Sequence, residues 1–214
     1  MAIKPILFNT EMVRAILDGR QDATRRIVKG VIPDDAVWGY TAFTPKGYIS
    51  CRGTFADGYG EKIFKLPCES GDILYVRETW APIYPDKESN EVCGYIYKED
   101  SLKEYDKRYP DGEDYQWGGK WHPSIHMPKE AARIWLKVKD VRVERLQEIT
   151  SEQISREGVE VEYPHVLNGE EKRYAFSALW NSTIKKSDID RHGWDANPWV
   201  WVIEFDRCEK PKGV

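Results

Sequence analysis

The sequence predicts an α+β fold: a small β-barrel with flanking helices and a long insertion. Three observations carry this. Short apolar segments interrupted by glycines run from Val37 to Lys65. A long strand-like stretch from Arg133 to Arg145 changes phase part-way, as bulged strands of small barrels do. Two helical segments then stand before an apolar closing strand, Trp199 to Phe205. No internal repeat, low-complexity tract or linker divides the chain, so one domain over 1–214 is expected.

Taken in order, Pro5-Ile6-Leu7-Phe8 is a short strand. Asn9 or Thr10 then caps a helix whose Met12, Val13, Ile16 and Leu17 share a face, and Gly19 closes it. Thr24 to Val28 is β-compatible, and Pro33 with Asp34 and Asp35 ends it. Between Val37 and Lys65, Gly47, Gly53, Gly58 and Gly60 punctuate a β-meander. The Ser70-Gly71-Asp72 turn launches a strand from Ile73 to Glu78.

Residues 84–128 read as an irregular insertion loop packed in part by its own aromatics, with Pro85, Pro110, Pro123 and Pro128 and an acidic, tyrosine-rich stretch from Glu99 to Tyr115. A loop of this length is usually functional, and a lid is one role for it. Ile134, Leu136 and Val138 alternate on one strand face while Val141 and Val143 take the other parity; a β-bulge near Lys139-Asp140 reconciles them. A helix capped by Thr150 or Ser151 runs to Glu157 and stops at Gly158. A second, about 170–183, carries Tyr174, Leu179 and Trp180 with Ala175 and Ala178. The closing strand begins apolar on both faces and is expected to be central.

Composition excludes several classes. With 32 Lys+Arg against 36 Asp+Glu the formal charge is −4, which argues against a strongly basic nucleic-acid scaffold. No apolar run reaches the roughly 18 residues of a membrane helix, and the N-terminus has no signal-peptide apolar core, so a cytoplasmic location with no membrane partner is expected. Cys51, Cys68, Cys93 and Cys208 form no CxxC pair and read as free thiols. His122 and His126 stand four apart, but Pro123 and Pro128 argue against a helix there and no carboxylate completes a ligand set, so no metal is expected. Walker, dinucleotide, Gly-x-Ser-x-Gly and HExxH signatures are absent, so no cofactor is expected either. Nine Trp, twelve Tyr and six Phe are mostly packing, but exposed rings such as Trp117 and Trp121 would be stacking platforms.

The cluster Arg14, Arg20, Arg25, Arg26 and Lys29 is the best phosphate-facing candidate in an otherwise acidic chain; the alternative is a solvated face paired with Asp18 and Asp22. Arg77 and Glu78 beside Trp80 read either as a charged pair with a stacking ring or as an ion pair holding the barrel rim. His192 reads as a turn residue.

Lys4-Pro5-Ile6-Leu7-Phe8 with Gly19-Arg20-Gln21-Asp22-Ala23-Thr24-Arg25-Arg26 resembles the opening of the ASCH domain, a branch of the PUA-like superfamily. Gly71 to Trp80, Val138 to Thr150 and Trp199 to Phe205 resemble its central strand, late strand with helix start, and closing strand. Together these segments cover about half the chain, in the order of larger ASCH-like proteins of phages and prophages; the insertion lies outside the resemblance.

The resemblance implies a barrel with a cleft beside the first helix that binds RNA or nucleotides. Small members that hydrolyse N4-acetylcytidine carry Gly-x-Lys-x-x-Thr-x-Arg and a late-helix glutamate; the matching positions are Gly19, Gln21, Thr24, Arg26 and Glu157, with glutamine in place of lysine. A carboxamide cannot take a proton from threonine, and Lys4, Lys29 or Glu157 is left as the candidate base. The expectation is therefore an RNA- or nucleotide-binding protein in which Arg20, Arg25 and Arg26 meet phosphate, Gln21 and Thr24 hydrogen-bond base or sugar, and Arg77, Glu78 and Trp80 complete the cleft. Amide hydrolysis of acylated cytidine, or ribonuclease activity, through Thr24 and Glu157 is the alternative. A protein partner bound through 84–128 is a third reading.

Overall fold

The computed structural model describes residues 1–85, 88–100, 116–117, 119–161 and 170–213. They divide into two compact units, a first of Met1, Gln21–Asp72 and Val138–Asp206, and a second of Ala2–Arg20, Ile73–Lys137 and the chain from Arg207.

In the second unit, β1 (Ile3–Leu7) runs parallel to β6 (Ile73–Arg77), with Ile3 opposite Ile73 and Leu7 opposite Arg77. Helix α1 (Thr10–Leu17) follows β1; the Asn9 side chain accepts the Met12 N–H at 2.8 Å, and Val13, Ala15 and Ile16 face inward. Gly19 closes the helix at φ +74°, a conformation that costs a Cβ-bearing residue energy.

The insertion corrects the sequence reading, because part of it is sheet. β7 (Trp80–Tyr84) pairs with β8 (Gly94–Tyr97) on one side and β9 (Gln116–Trp117) on the other. Pro82 hid this strand, since proline is rare in central strands. It is tolerated because β9 pairs only with Ile83 and Tyr84, so Pro82 faces no residue of β9. Most of the acidic stretch from Glu99 to Tyr115 lies outside the described residues. Ile73, Tyr75, Trp80, Tyr97, Met127, Ala131, Ala132 and Trp135 form one buried cluster of this unit, and Ala81, Ile83 and Ile96 another.

The first unit is a three-layer arrangement. Its middle layer contains β2 (Ala23–Ile27), the Val138–Arg145 part of β10 (Trp135–Arg145) and β11 (Trp199–Cys208). Strand β11 is central and antiparallel to β2. On one side pack α2 (Ser151–Arg156) and α3 (Glu171–Thr183), burying Leu146, Ile149, Ile154, Phe176 and Trp180 against Val200 and Val202. On the other lies the meander β3 (Val37–Gly39), β4 (Tyr48–Phe55) and β5 (Gly58–Lys65). Its Trp38 ring meets Phe64, Trp199 and Trp201 at centroid distances of 5.1, 5.8 and 6.2 Å. A short helix α4 (Ile189–His192) precedes β11.

Burial along β10 loses its alternation at Lys139-Asp140, two successive exposed residues, where the valine phase slips. Of the residues the sequence named on helix α3, Trp180 points inward, with Phe176 four residues before it, while Tyr174 is 71% exposed and Leu179 36%. In the second unit β6 lies between β1 and the start of β10, in the first β11 lies between the rest of β10 and β2, and β3-β4-β5 and β8-β7-β9 are three-stranded ladders; none of these closes on itself among the described residues. No described helix is long and apolar enough to cross a membrane, and none of the four cysteines forms a disulfide.

Trp180 is buried and its indole N–H donates to the His192 carbonyl at 2.8 Å. Trp180→Ala is expected to lower unfolding free energy by about 3–5 kcal/mol. Tyr174→Ala on the same helix is expected to stay within about 0.5 kcal/mol, both read by urea denaturation.

Candidate functional site

Strand alternation divides the arginine-rich segment between two faces. On β2, Ala23 and Arg25 lie opposite Glu204 and Val202, whereas Thr24 and Arg26 lie opposite Ile203 and Trp201. Arg25 therefore shares the helix side of the sheet with Val202 and Glu204. Thr24 and Arg26 share the meander side with Trp201.

Helix α2 ends where β2 begins. Thr150 caps its start, its side chain accepting the Gln153 N–H, and Glu157 caps its end, with Gly158 at φ +80° turning the chain away. The end is fastened to β2 by an antiparallel bridge between Gln21 and Glu157 and by the Asp22 N–H donating to the Arg156 carbonyl at 3.0 Å. Gln21 and Glu157, 136 positions apart in the chain, thus become neighbours.

The Arg25 side chain, 1% exposed, is held on three sides: Nη1 donates to Glu157 Oε1 at 2.8 Å, and Nη2 to Glu144 Oε2 at 3.1 Å and Gln153 Oε1 at 3.2 Å. The charges continue beyond it. Glu144 accepts from Arg142 Nε at 2.5 Å, Arg142 also donates to Asp140 at 3.0 Å and Glu204 at 2.6 Å, and Arg156 joins Glu204 at 2.9 Å to Asp22 at 2.8 Å. Five carboxylates thus surround three guanidiniums, so this face does not favour a phosphate.

Titration follows position. Burial raises the Glu157 carboxyl above its ordinary value, opposed by the charges of Arg25 and Arg26 and the Arg25 backbone N–H. Burial lowers Arg26, opposed by Glu157. Glu204, hydrogen-bonded by Arg156 and Arg142, is lowered to about 2.

Three buried polar atoms in this segment have no hydrogen-bond partner: Gln21 Oε1, Thr24 Oγ1 and Arg25 Nε. The other half of the Gln21 amide is engaged, Nε2 donating to the Ala23 carbonyl at 3.0 Å. The open half of Gln21 is therefore an acceptor. Thr24 touches no base: its hydroxyl forms no hydrogen bond to Glu157.

Gln21, Thr24, Arg25, Arg26 and Glu157 belong to the first unit, and Arg20, Arg77, Glu78 and Trp80 to the second. Arg20 pairs with Asp18 at 2.9 Å. Arg77 donates to the Ile125 carbonyl at 3.2 Å, whereas Glu78, 2% exposed, takes a two-pronged contact from Arg133 at 3.0 and 2.9 Å; Arg133 also holds Asp100 at 2.6 Å. Burial raises the Glu78 carboxyl, opposed by Arg133. Trp80 is a core residue, 9% exposed, against the rings of Tyr95 and His122. Among the described residues no group of three metal-ligating side chains gathers.

Glu144, Arg142, Gln153, Arg156, Glu204 and Arg133 escaped the sequence reading. The first two had a signal: Asp140, Arg142 and Glu144 stand at every second position of a strand, a charged stripe on one face.

No family model matches this chain, and no curated protein matches it. Among solved structures, an ASCH domain from Lactobacillus crispatus JV V101 is similar at 10% identity, over 96% of this chain and 79% of that one, with a TM-score of 0.38. A score this low does not establish a shared fold.

Arg25→Ala strips the buried Glu157 of its ion pair, leaving Glu144 to Arg142, and is expected to cost about 3–5 kcal/mol. Thr24→Val removes a buried hydroxyl without a partner and is expected to be neutral or stabilising by up to about 1 kcal/mol in the same denaturation assay. Because Glu204 titrates lower folded than unfolded, its stabilisation is present above its ordinary value of 4.5 and lost as pH falls toward about 2. Glu204→Gln should therefore flatten the acid limb of the stability profile across that window.

Proposed function

We propose that the chain is an RNA- or nucleotide-binding protein of the ASCH type, taking its ligand at Thr24 and Arg26 on the meander side of β2, with Gln21 just ahead of the strand. The observation that carries this reading is the pair of open polar atoms, Gln21 Oε1 and Thr24 Oγ1, three residues apart and 3% and 0% exposed by residue. A buried polar atom without a partner costs about 1–3 kcal/mol, which a ligand supplying that partner returns. Gln21 offers an acceptor, so it suits an N–H of a base; the Thr24 hydroxyl both donates and accepts. Arg25 is already surrounded by carboxylates and serves to position Glu157, which leaves Arg26, on the Thr24 face, as the cation for a phosphate.

One observation favours the hydrolytic alternative: burial raises the Glu157 carboxyl above its ordinary value, the direction a carboxyl that takes and gives protons needs. Against it, no base touches the Thr24 hydroxyl.

Titration of nucleosides and short RNA into the protein at two salt concentrations, with mass spectrometry of N4-acetylcytidine incubations alongside, decides between them. Salt-dependent binding that falls at least about tenfold in folded Gln21→Ala and Thr24→Val, with no conversion, is the expected result. Binding unchanged in both variants would overturn it, and deacetylation would transfer the site to catalysis.

A further inference from the structure

Away from β2, the first unit carries an open groove of about 380 Å³ between the loop joining β3 to β4 and the turn before Ile73. Both walls are tied down. The Thr41 N–H donates to Thr44 Oγ1 at 2.8 Å, the Leu66 N–H joins the walls by donating to the Gly47 carbonyl at 2.9 Å, and the Asp72 N–H closes the turn on the Glu69 carbonyl at 3.0 Å. The groove is therefore shaped before any ligand arrives.

Its lining has a consistent chemistry. Tyr40, 66% exposed, and the half-buried Tyr48 supply aromatic walls and Leu66 an apolar base, while Glu69 and Asp140 contribute carboxylates and the exposed Lys46 one cation. Asp140 is shared with Arg142 at 3.0 Å. The Glu69 carboxylate, by contrast, has no ion-pair or hydrogen-bond partner among the described residues. It reaches across to the opposite wall: a Cβ added to Gly47 would stand 3.2 Å from Glu69 Oε1. Gly47, at φ +80°, is what keeps that approach open.

Aromatic faces and carboxylates attract the same kind of guest. Tyrosine rings present negative π-faces to a cation, and an unpaired carboxylate adds a charge-assisted hydrogen bond. We propose that this groove binds a small organic cation, an ammonium or guanidinium carried on an apolar stem, with Glu69 taking the charge and Tyr40 and Tyr48 flanking the stem. Lys46 sits at odds with the charge and tunes affinity downward.

The test uses three probes with one body: phenethylammonium, 2-phenylethanol and phenylacetate, titrated into the full chain by calorimetry at low salt. The ammonium should bind at least about tenfold more tightly than the alcohol, and the carboxylate most weakly. Glu69→Gln should bring the ammonium to the level of the alcohol, and Tyr40→Ala should weaken it several-fold. Thr24→Val should leave it unchanged, which separates this groove from the site on β2. Circular dichroism checks the fold of each variant; should Glu69→Gln fail to fold, Tyr40→Ala, altering an exposed ring, carries the test. No measurable ammonium binding, equal binding of the three probes, preference for phenylacetate, or binding indifferent to both Glu69→Gln and Tyr40→Ala would overturn the proposal.

Discussion

Burying the Arg25 guanidinium is the constraint around which the first unit is arranged. A guanidinium cannot shed its charge, so the fold must bring carboxylates to it. Glu157 arrives from the last turn of α2 and Glu144 from β10, which fixes where that helix stops and on which side of the sheet it lies. From there the compensation spreads through Arg142, Glu204 and Arg156 to Asp22, one residue from Gln21. Such a network contributes more to a unique arrangement of strands and helix than to net stability, because desolvation offsets much of its Coulomb energy.

That arrangement separates two tasks that a basic cluster in a sequence merges. The helix side of β2 is saturated with charge and closed. Its meander side carries Thr24 and Arg26, the latter opposite Trp201, whose ring meets Trp38, with a hydroxyl that the protein itself leaves unsatisfied. Keeping a buried hydroxyl unpaired where valine would fit is a sacrifice of stability, and such sacrifices concentrate at functional positions.

Much of the first unit was legible. Glycine spacing in 37–65, the Thr150 cap, the Gly158 stop and the valine phase slip near Lys139-Asp140 are local signals, and local signals survive into the structure. The β7 sheet was not, because Pro82 argues against a strand unless the neighbouring strand is known to be short. On α3 the sequence picks out Trp180 but not Phe176, because Tyr174 and Leu179 are apolar by type yet face outward. In the candidate site, nothing in the sequence shows that Gln21 meets Glu157, and the partner of Glu78 is Arg133, 55 residues away, not the adjacent Arg77. Long-range pairing of charges leaves no periodic trace.

Deleting one residue just ahead of Thr24 would turn β2 over from that point, exchanging its two faces. Almost any other strand would be ruined by this, but here arginine follows arginine. Arg26 would swing into the place of Arg25 and meet Glu157 and Glu144 with the same guanidinium, while Arg25 would be turned into the fully buried place of Thr24. The hydroxyl of Thr24, however, would leave the meander side. The doublet thus rebuilds the charge ring on one face only by burying a second guanidinium on the other, so the order Thr24, Arg25, Arg26 is held from both sides of the sheet.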